Sequence, residues 1–327
     1  VTLLLSRADI AGLMRPGDYL EAVETGFRAA EEGRAAAPAP MAVAVQGGSF
    51  HAKGASLRLD RLYVAVKLNG NFPGNPPARP TIQGAILLCD GEDGTLLAVM
   101  DSIEVTLRRT AAATALAARF LARPESATLL VCGCGAQAGA QLDALAEVLP
   151  LRRCFAWDRD RGKAEAFAAM AANAHAIEAS PVEDMAEAAR ASDAIVACTT
   201  ARKPFLGPEH VRPGSFVAAV GADSPEKNEI EPALMASARV VVDVLEQCLE
   251  MGDLRHAVAA GAMRADDVQA GLGAIVAGSA SGRNSDEQIF VFDSTGTALQ
   301  DVAAAAAIHA RARSRGGYPE FDFGGGG

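Results

Sequence analysis

The run SATLLVCGCGAQAGAQ, residues 126–141, restricts the fold more than any other stretch of the chain. Its apolar half reads as a buried strand, Gly133 and Gly135 as a tight turn, and the remainder as the start of a helix. The same rhythm then repeats. Strands are expected at 127–132, 153–157, 194–198, 215–220, 239–243 and 289–293, with AQAGAQLDALAEVL, RGKAEAFAAMAA and PVEDMAEAARA as crossover helices. Strands alternating with helices of that length specify an α/β fold built on a doubly wound, Rossmann-type parallel sheet.

The first hundred residues follow a different pattern. A helix is expected from Pro16 to Glu32, with Leu20, Val23, Phe27 and Ala30 on one face and Gly33 as its stop. The strand-like pieces MAVAV, FHAKGASL, LYVAVKL, TIQGAILLC and TLLAVMD come next, some separated by the turn signals Asp90-Gly91 and Asp93-Gly94. This is a mostly antiparallel sheet after one helix. An Ala-rich helix from Ser102 to about Leu121 leads into the parallel-sheet region. A second Ala-rich helix, at about 298–314, leads to SRGGYPEFDFGGGG, whose glycine tail is expected to be disordered.

Gly133, Gly135 and Ala138 form G-x-G-x-x-A between a strand and a helix, the context in which this spacing suits a dinucleotide. Glycines let backbone N–H groups approach a pyrophosphate, and the helix N-terminus supplies partial positive charge. The next strand ends in Asp158, 20 residues beyond Ala138, where a carboxylate binds the ribose hydroxyls of NAD. Asp158 would repel the 2′-phosphate of NADP, whereas Arg159 would attract it. The cofactor expected is therefore NAD, with NADP possible. The plainer alternative is a tight structural turn with Asp158 capping the following helix.

Composition excludes other partners. A net charge of -10 with scattered basic residues argues against nucleic acid or an anionic membrane. No apolar run approaches the ~18 residues of a membrane span, and the first residues lack a cationic segment followed by a long apolar one, so a cytoplasmic protein is expected. The six cysteines form no C-x-x-C pair, and Cys132 with Cys134 supplies only two possible ligands, so no metal site is expected.

Several residues can carry chemistry. Lys67 ends LYVAVKL between apolar neighbours and loop formers, where it can hold a carboxylate or, desolvated, move a proton; the alternative is an edge-strand lysine reaching solvent. His51 and Lys53 alternate on one strand face and can line the same cavity. Arg109 shares a helical stripe with Val105, Ala112 and Leu116, so it needs an anionic partner, such as a substrate carboxylate or cofactor phosphate, unless it snorkels to the surface. Asp223 follows the strand SFVAAV at the carboxyl edge of the parallel sheet, where a general base is well placed; alternatively, Ser224 and Pro225 begin a helix there.

VAVKLNGNFPGN, PTIQGAILLCDGEDGTLLAVMD, TLRRTAAATALAA, CGCGAQA, GADSPEKNE and FDSTGTALQD together resemble the ornithine cyclodeaminase/mu-crystallin family over nearly the whole chain. The resemblance implies a discontinuous α+β substrate-binding and dimerisation domain, 1–118 with 298–327, and an inserted NAD-binding domain, 119–297. It implies that Lys67 and Arg109 meet the substrate carboxylate and cofactor, and that Asp223 is the general acid/base. By the same resemblance Thr81, Ala136, Gln137, Asp158, Thr199, Gly221 and Ser294 are dinucleotide contacts. The family often carries an arginine after the proline of PAPMAVAV; here Met41 stands nearby, and Lys53 or Arg58 would substitute.

The implied reaction removes hydride from the α-carbon of an L-amino acid to give an imine, with cyclisation and ammonia loss as in ornithine cyclodeaminase. Imine hydrolysis would instead make an alanine dehydrogenase, and the reverse reaction a ketimine reductase. The other class kept open is a non-catalytic, crystallin-like binding protein. The partners expected are a small amino or imino acid and a second copy in a homodimer.

Overall fold

The computed structural model describes residues 1–76 and 78–323. The chain falls into two compact units, Val1–Arg109 with Thr297–Gly327, and Thr110–Gly296. It opens with β1 (Thr2–Leu5), α1 (Arg7–Leu13), α2 (Pro16–Glu31), β2 (Ala35–Ala36), β3 (Met41–Val45), β4 (Gly48–Arg58), β5 (Leu62–Asn71), β6 (Ile82–Asp90), β7 (Leu96–Asp101) and α3 (Ser102–Leu121). There follow β8 (Thr128–Cys132), α4 (Ala136–Leu145), β9 (Arg153–Trp157), α5 (Arg161–His175), β10 (Glu178–Pro181), α6 (Met185–Ala191), β11 (Ala194–Ala197), β12 (Phe216–Ala219) and α7 (Pro232–Ser237). The last stretch holds β13 (Arg239–Val242), α8 (Leu245–Glu250), α9 (Asp253–Ala259), β14 (Ala270–Gly271), α10 (Leu272–Ala277), β15 (Phe290–Asp293), α11 (Ala298–Arg315) and β16 (Glu320–Phe321).

In the first unit the sheet runs β16-β1-β7-β6-β5-β4-β2, with β3 also on β4. Its pairs are antiparallel except β1 with β7. β5 is a central strand of strict alternation: Tyr63, Ala65 and Lys67 are buried, while Val66 and Leu68 are 42% and 48% exposed. The buried face packs against α11, which also contacts α2. Gly26 permits that approach, because a Cβ there would lie 2.9 Å from the Ala303 Cβ.

Two features differ from the expectation of one helix followed by a sheet. A seven-residue helix, α1, precedes α2 and is stabilised by a capping box between Ser6 and Asp9. It is too short to show a periodic stripe. A further strand, β16, was not foreseen: Glu320 and Phe321 pair with Leu3 and Thr2, while the glycine tail expected to be disordered, 324–327, lies outside the described residues.

The second unit is an open parallel sheet in the order β10-β9-β8-β11-β12-β15-β13-β14. All six strands read from the sequence are present; β10 and β14, short and lacking an apolar run, add to them. Chain order runs outward from β8 through β9 and β10 in one direction and from β11 to β12 in the other, where β15 then lies between β12 and β13, so the topological switch point lies between β8 and β11. Ligands of such sheets bind there, beyond the strand carboxyl ends.

The start of β8 is pinned by Asp193. Its Oδ2 accepts from the backbone N–H of Ala127 and Thr128, both at 3.0 Å, and its Oδ1 takes Arg123 Nη2 at 2.8 Å and also Arg212. Burial opposes the charge, but these donors outweigh it and hold the carboxyl below its usual range. Asp193→Ala should cost about 3 kcal/mol at pH 7 in urea unfolding, because it orphans buried donors. The stabilisation is present above the unfolded carboxyl range and disappears as pH falls through the lowered folded value, so the deficit should shrink in acid.

Candidate functional site

In the second unit, β8 delivers the chain into the glycine turn. Gly133 has φ +95°, and a Cβ there would stand 2.9 Å from both the Cys198 carbonyl oxygen and Thr199 Cγ2, so the protein's own packing demands glycine. Gly135 differs: a Cβ there would meet nothing within 4 Å, and the residue caps α4 without a side-chain hydrogen bond. Open space over helical N–H groups, beside Ala136 and Gln137, is what a close-approaching phosphate requires. The turn therefore fits a dinucleotide pyrophosphate.

Asp158 follows β9 and ties the turn down, its Oδ2 accepting from Cys134 N at 2.8 Å and its Oδ1 from Asp160 N at 2.9 Å. It does not cap α5; Asp160 does. Beside it lies a cleft of about 370 Å³ lined by Trp157, Asp158, Arg159, Pro181 and Val182, of a size to take an adenosine end. The nearby Arg161 is neutralised by Glu165 and Glu183. Burial pushes the Cys132 and Cys198 thiols well up, and burial with Asp158 pushes Cys134 up to about 12, so these cysteines are not reactive thiolates.

Thr199 and Gly221 come together through a residue not singled out in the sequence. Glu229 is fully buried; its Oε1 accepts from Thr199 N and Oγ1, both at 2.6 Å, and its Oε2 from Gly221 N at 2.8 Å. Asp253 Oδ1 in turn accepts from the backbone of Glu229 and Ile230 at 2.7 and 2.9 Å. Asp293 does the same for Asp253 and Leu254. The buried Ser294 hydroxyl donates to Asp243 Oδ2 at 2.9 Å, so its hydrogen is committed within the protein.

In the first unit Lys67 is 5% exposed, which excludes the solvent-reaching edge lysine. Its Nζ lies 2.6 Å from Asp301 Oδ2 and 3.3 Å from Thr106 Oγ1. Arg109, 4% exposed, donates from Nε to Asp301 Oδ1 at 2.8 Å and from Nη1 to Gln300 Oε1 at 2.7 Å. The stripe with Val105, Ala112 and Leu116 is buried as expected, but the anionic partner within the chain is Asp301 rather than a ligand group. Gln300 Nε2 is buried with no protein partner among the described residues.

The electrostatics follow from burial and charge count. Burial pushes the Asp301 carboxyl up, but Arg109 and Lys67 outweigh it and hold it ionised, below its usual range. Burial lowers the Lys67 amine to about 7, against the opposing pull of Asp301. With Lys67 protonated, two cations face one anion. The excess positive charge suits one carboxylate.

Lys53 is the direct cross-strand partner of Lys67, and His51 lies on the same face two residues away. Arg58 faces the other way and pairs with Glu92 at 2.9 Å, so of the two side chains expected near Met41 only Lys53 shares the Lys67 face. Thr81 is exposed before β6, its carbonyl accepting from Phe72 N. Asp223 lies in a loop with its side chain 56% exposed and 2.5 Å from Lys227 Nζ. Only a turn closes there, from Lys227 N to the Ser224 carbonyl, and no helix begins.

Comparison with known proteins agrees with this geometry. An alanine dehydrogenase of Archaeoglobus fulgidus is 37% identical over 315 residues, covering 96% of each chain. A solved archaeal alanine dehydrogenase dimer with bound NAD superposes with a TM-score of 0.94 at 36% identity, over 98% of this chain and 99% of that one. The Δ1-pyrroline-2-carboxylate reductase of Thermococcus litoralis, solved with NADH and L-proline, also gives 0.94, at 30% identity over 98% and 100% of the two chains. The sequence profile of one family matches residues 1–316, and the chain belongs to that family, the ornithine cyclodeaminase/mu-crystallin family.

Proposed function

We propose that the protein is an NAD-dependent oxidoreductase that interconverts a small L-2-amino acid and its 2-imino acid. The observation that carries this reading is the presence in one chain of a dinucleotide-type glycine turn and a buried cluster of two cations around one carboxylate. The relatives point the same way, being named for oxidation of an amino acid and reduction of a cyclic imine, with NAD or NADH bound. Bound NAD would supply the hydride acceptor, held at Gly133, Gly135, Ala136 and Gln137 with Asp158 toward a ribose.

The chain's own residues then have distinct tasks. Arg109 and protonated Lys67 neutralise and orient the substrate carboxylate, with Lys53 as a further cation on the same face. Asp223 takes the proton that the amine loses as the α-carbon gives up hydride, and returns it in the reverse direction. Oxidation of R–CH(NH2)–COO− to R–C(=NH)–COO− releases two electrons as hydride and one proton, and water then converts the imine to a 2-oxo acid and ammonia.

The deciding experiment incubates L-amino acids, including alanine and ornithine, with limiting NAD. Ammonia equal to the NADH formed is the expected result; ammonia far in excess of NAD, without NADH, would replace this reading with cyclodeamination. Because only protonated Lys67 assists a carboxylate and burial has lowered it to about 7, the amino-acid KM should rise as pH climbs above neutrality. Lys67→Met should have a higher KM at pH 7 and no such rise, and an unchanged slope would remove Lys67 from the clamp.

The outer sheet face carries Val43, Val45, Phe50, Val66, Leu68 and Leu87 in register, each more than a third exposed in the single chain. A contiguous apolar face of this kind fits a second copy, making a homodimer. Leu68→Glu should halve the mass seen by sedimentation equilibrium; a monomeric wild-type protein would refute the dimer.

A further inference from the structure

Glu229 accepts three hydrogen bonds at the sheet's carboxyl edge. It joins the loop after β11 to the loop after β12 through Thr199 N, Thr199 Oγ1 and Gly221 N. Gly221 makes room for it: a Cβ there would lie 2.4 Å from the Thr199 carbonyl oxygen and 2.5 Å from Glu229 Oε2. The Gly133 turn is keyed to the same loop through Cys198 and Thr199. Thr199 Oγ1 also accepts from Ala201 N at 3.0 Å, so one of its lone pairs is occupied whichever way its hydrogen points.

We infer that Glu229 is a positioning residue for the coenzyme: its hydrogen bonds fix the Thr199 and Gly221 loops, and its protonation state decides whether the Thr199 hydroxyl donates inward or toward the coenzyme. The inference rests on the reading that these loops meet the coenzyme, and not on which amino acid reacts. An ionised Glu229 accepts the hydroxyl hydrogen. A protonated one instead donates to Thr199 Oγ1, which then holds two incoming hydrogens and turns its own outward, toward an acceptor oxygen.

The ionisable groups facing Glu229 are Asp253 at the start of α9, Cys132 at the end of β8 and Cys198 after β11. None is cationic. Burial and the Asp253 charge push the Glu229 carboxyl up to about 8, so it is largely protonated at neutral pH. Raising the pH through that value withdraws the outward donor and places a negative charge beside an anionic coenzyme. Both effects weaken coenzyme binding in the same direction.

NADH binding, followed by its fluorescence, tests this without any substrate. Wild-type affinity should fall about tenfold between pH 7 and pH 9, equivalent to one proton taken up on binding over part of that range. Glu229→Gln, which has no proton to lose and leaves one backbone N–H unpaired, should bind NADH about tenfold more weakly at pH 7 and show a flat profile. Thr199→Val, which keeps the shape and the carboxylate, should make the profile shallower, leaving only the part due to the Glu229 charge, and it serves if the first variant fails to fold. Affinity of Glu229→Gln within twofold of wild type, or a Thr199→Val profile unchanged from wild type, overturns the inference. Failure of the amino-acid reading would look different: NADH would bind normally while no amino acid is turned over.

Discussion

Asp301 is the side chain on which the buried charge cluster of the first unit depends. One carboxylate holds Lys67 from β5 and Arg109 from α3, and with Gln300 it brings the first turn of α11 to both cations. Without it the two buried cations would repel each other, and Lys67, already lowered by burial, would give up its proton. With it, the cluster keeps a single surplus positive charge and two fixed donor groups. Asp301 thereby turns two mutually repelling cations into a cluster of defined charge, and the lowered amine of Lys67 shows that burial still outweighs the attraction there.

The second unit solves the opposite problem. Its carboxyl edge gathers Glu229, Asp253, Asp293 and Asp243, all buried, and backbone N–H groups rather than cations hold most of them. Burial raises Asp253 to about 6 and Asp293 well above the usual range, so protons stay on part of this network near neutrality. Carboxylates tied to backbone fix loops more tightly than mobile lysine partners would, which suits a surface that must present N–H groups at fixed places. The glycine turn, the Thr199 loop and the Gly221 loop are consequently one keyed assembly.

Much of this was legible in the sequence because it follows local rules. Gly133, Gly135 and Asp158 lie where strand, turn and helix order places them, and the alternation in LYVAVKL already puts Lys67 on the face of Tyr63 and Ala65. What escaped were the partners. Asp301 shares a helical stripe with Ala305, Ile308 and Ala312, all buried, and a carboxylate on such a stripe signals a counter-charge. Nothing in the sequence says that this counter-charge is a pair 192 residues away in Arg109 and another on β5. Glu229 was harder, since NEIEP has no periodicity and its role arises only when two crossover connections bring their ends together. Helix α1 and strand β16 were missed for a simpler reason: both are too short to carry a pattern.

The surplus charge of the Lys67–Asp301–Arg109 cluster is most directly tested by comparing two ligands that differ only in that charge. Pyruvate and pyruvamide should be titrated against the NADH complex of the wild-type protein at pH 6.5, where Lys67 is mostly protonated. A clamp for one carboxylate requires pyruvate to bind at least about a hundredfold more tightly, the scale of one charge-assisted, desolvated contact of about 3 kcal/mol. Equal binding of the acid and the amide would contradict it and leave the cluster as a structural ion triad.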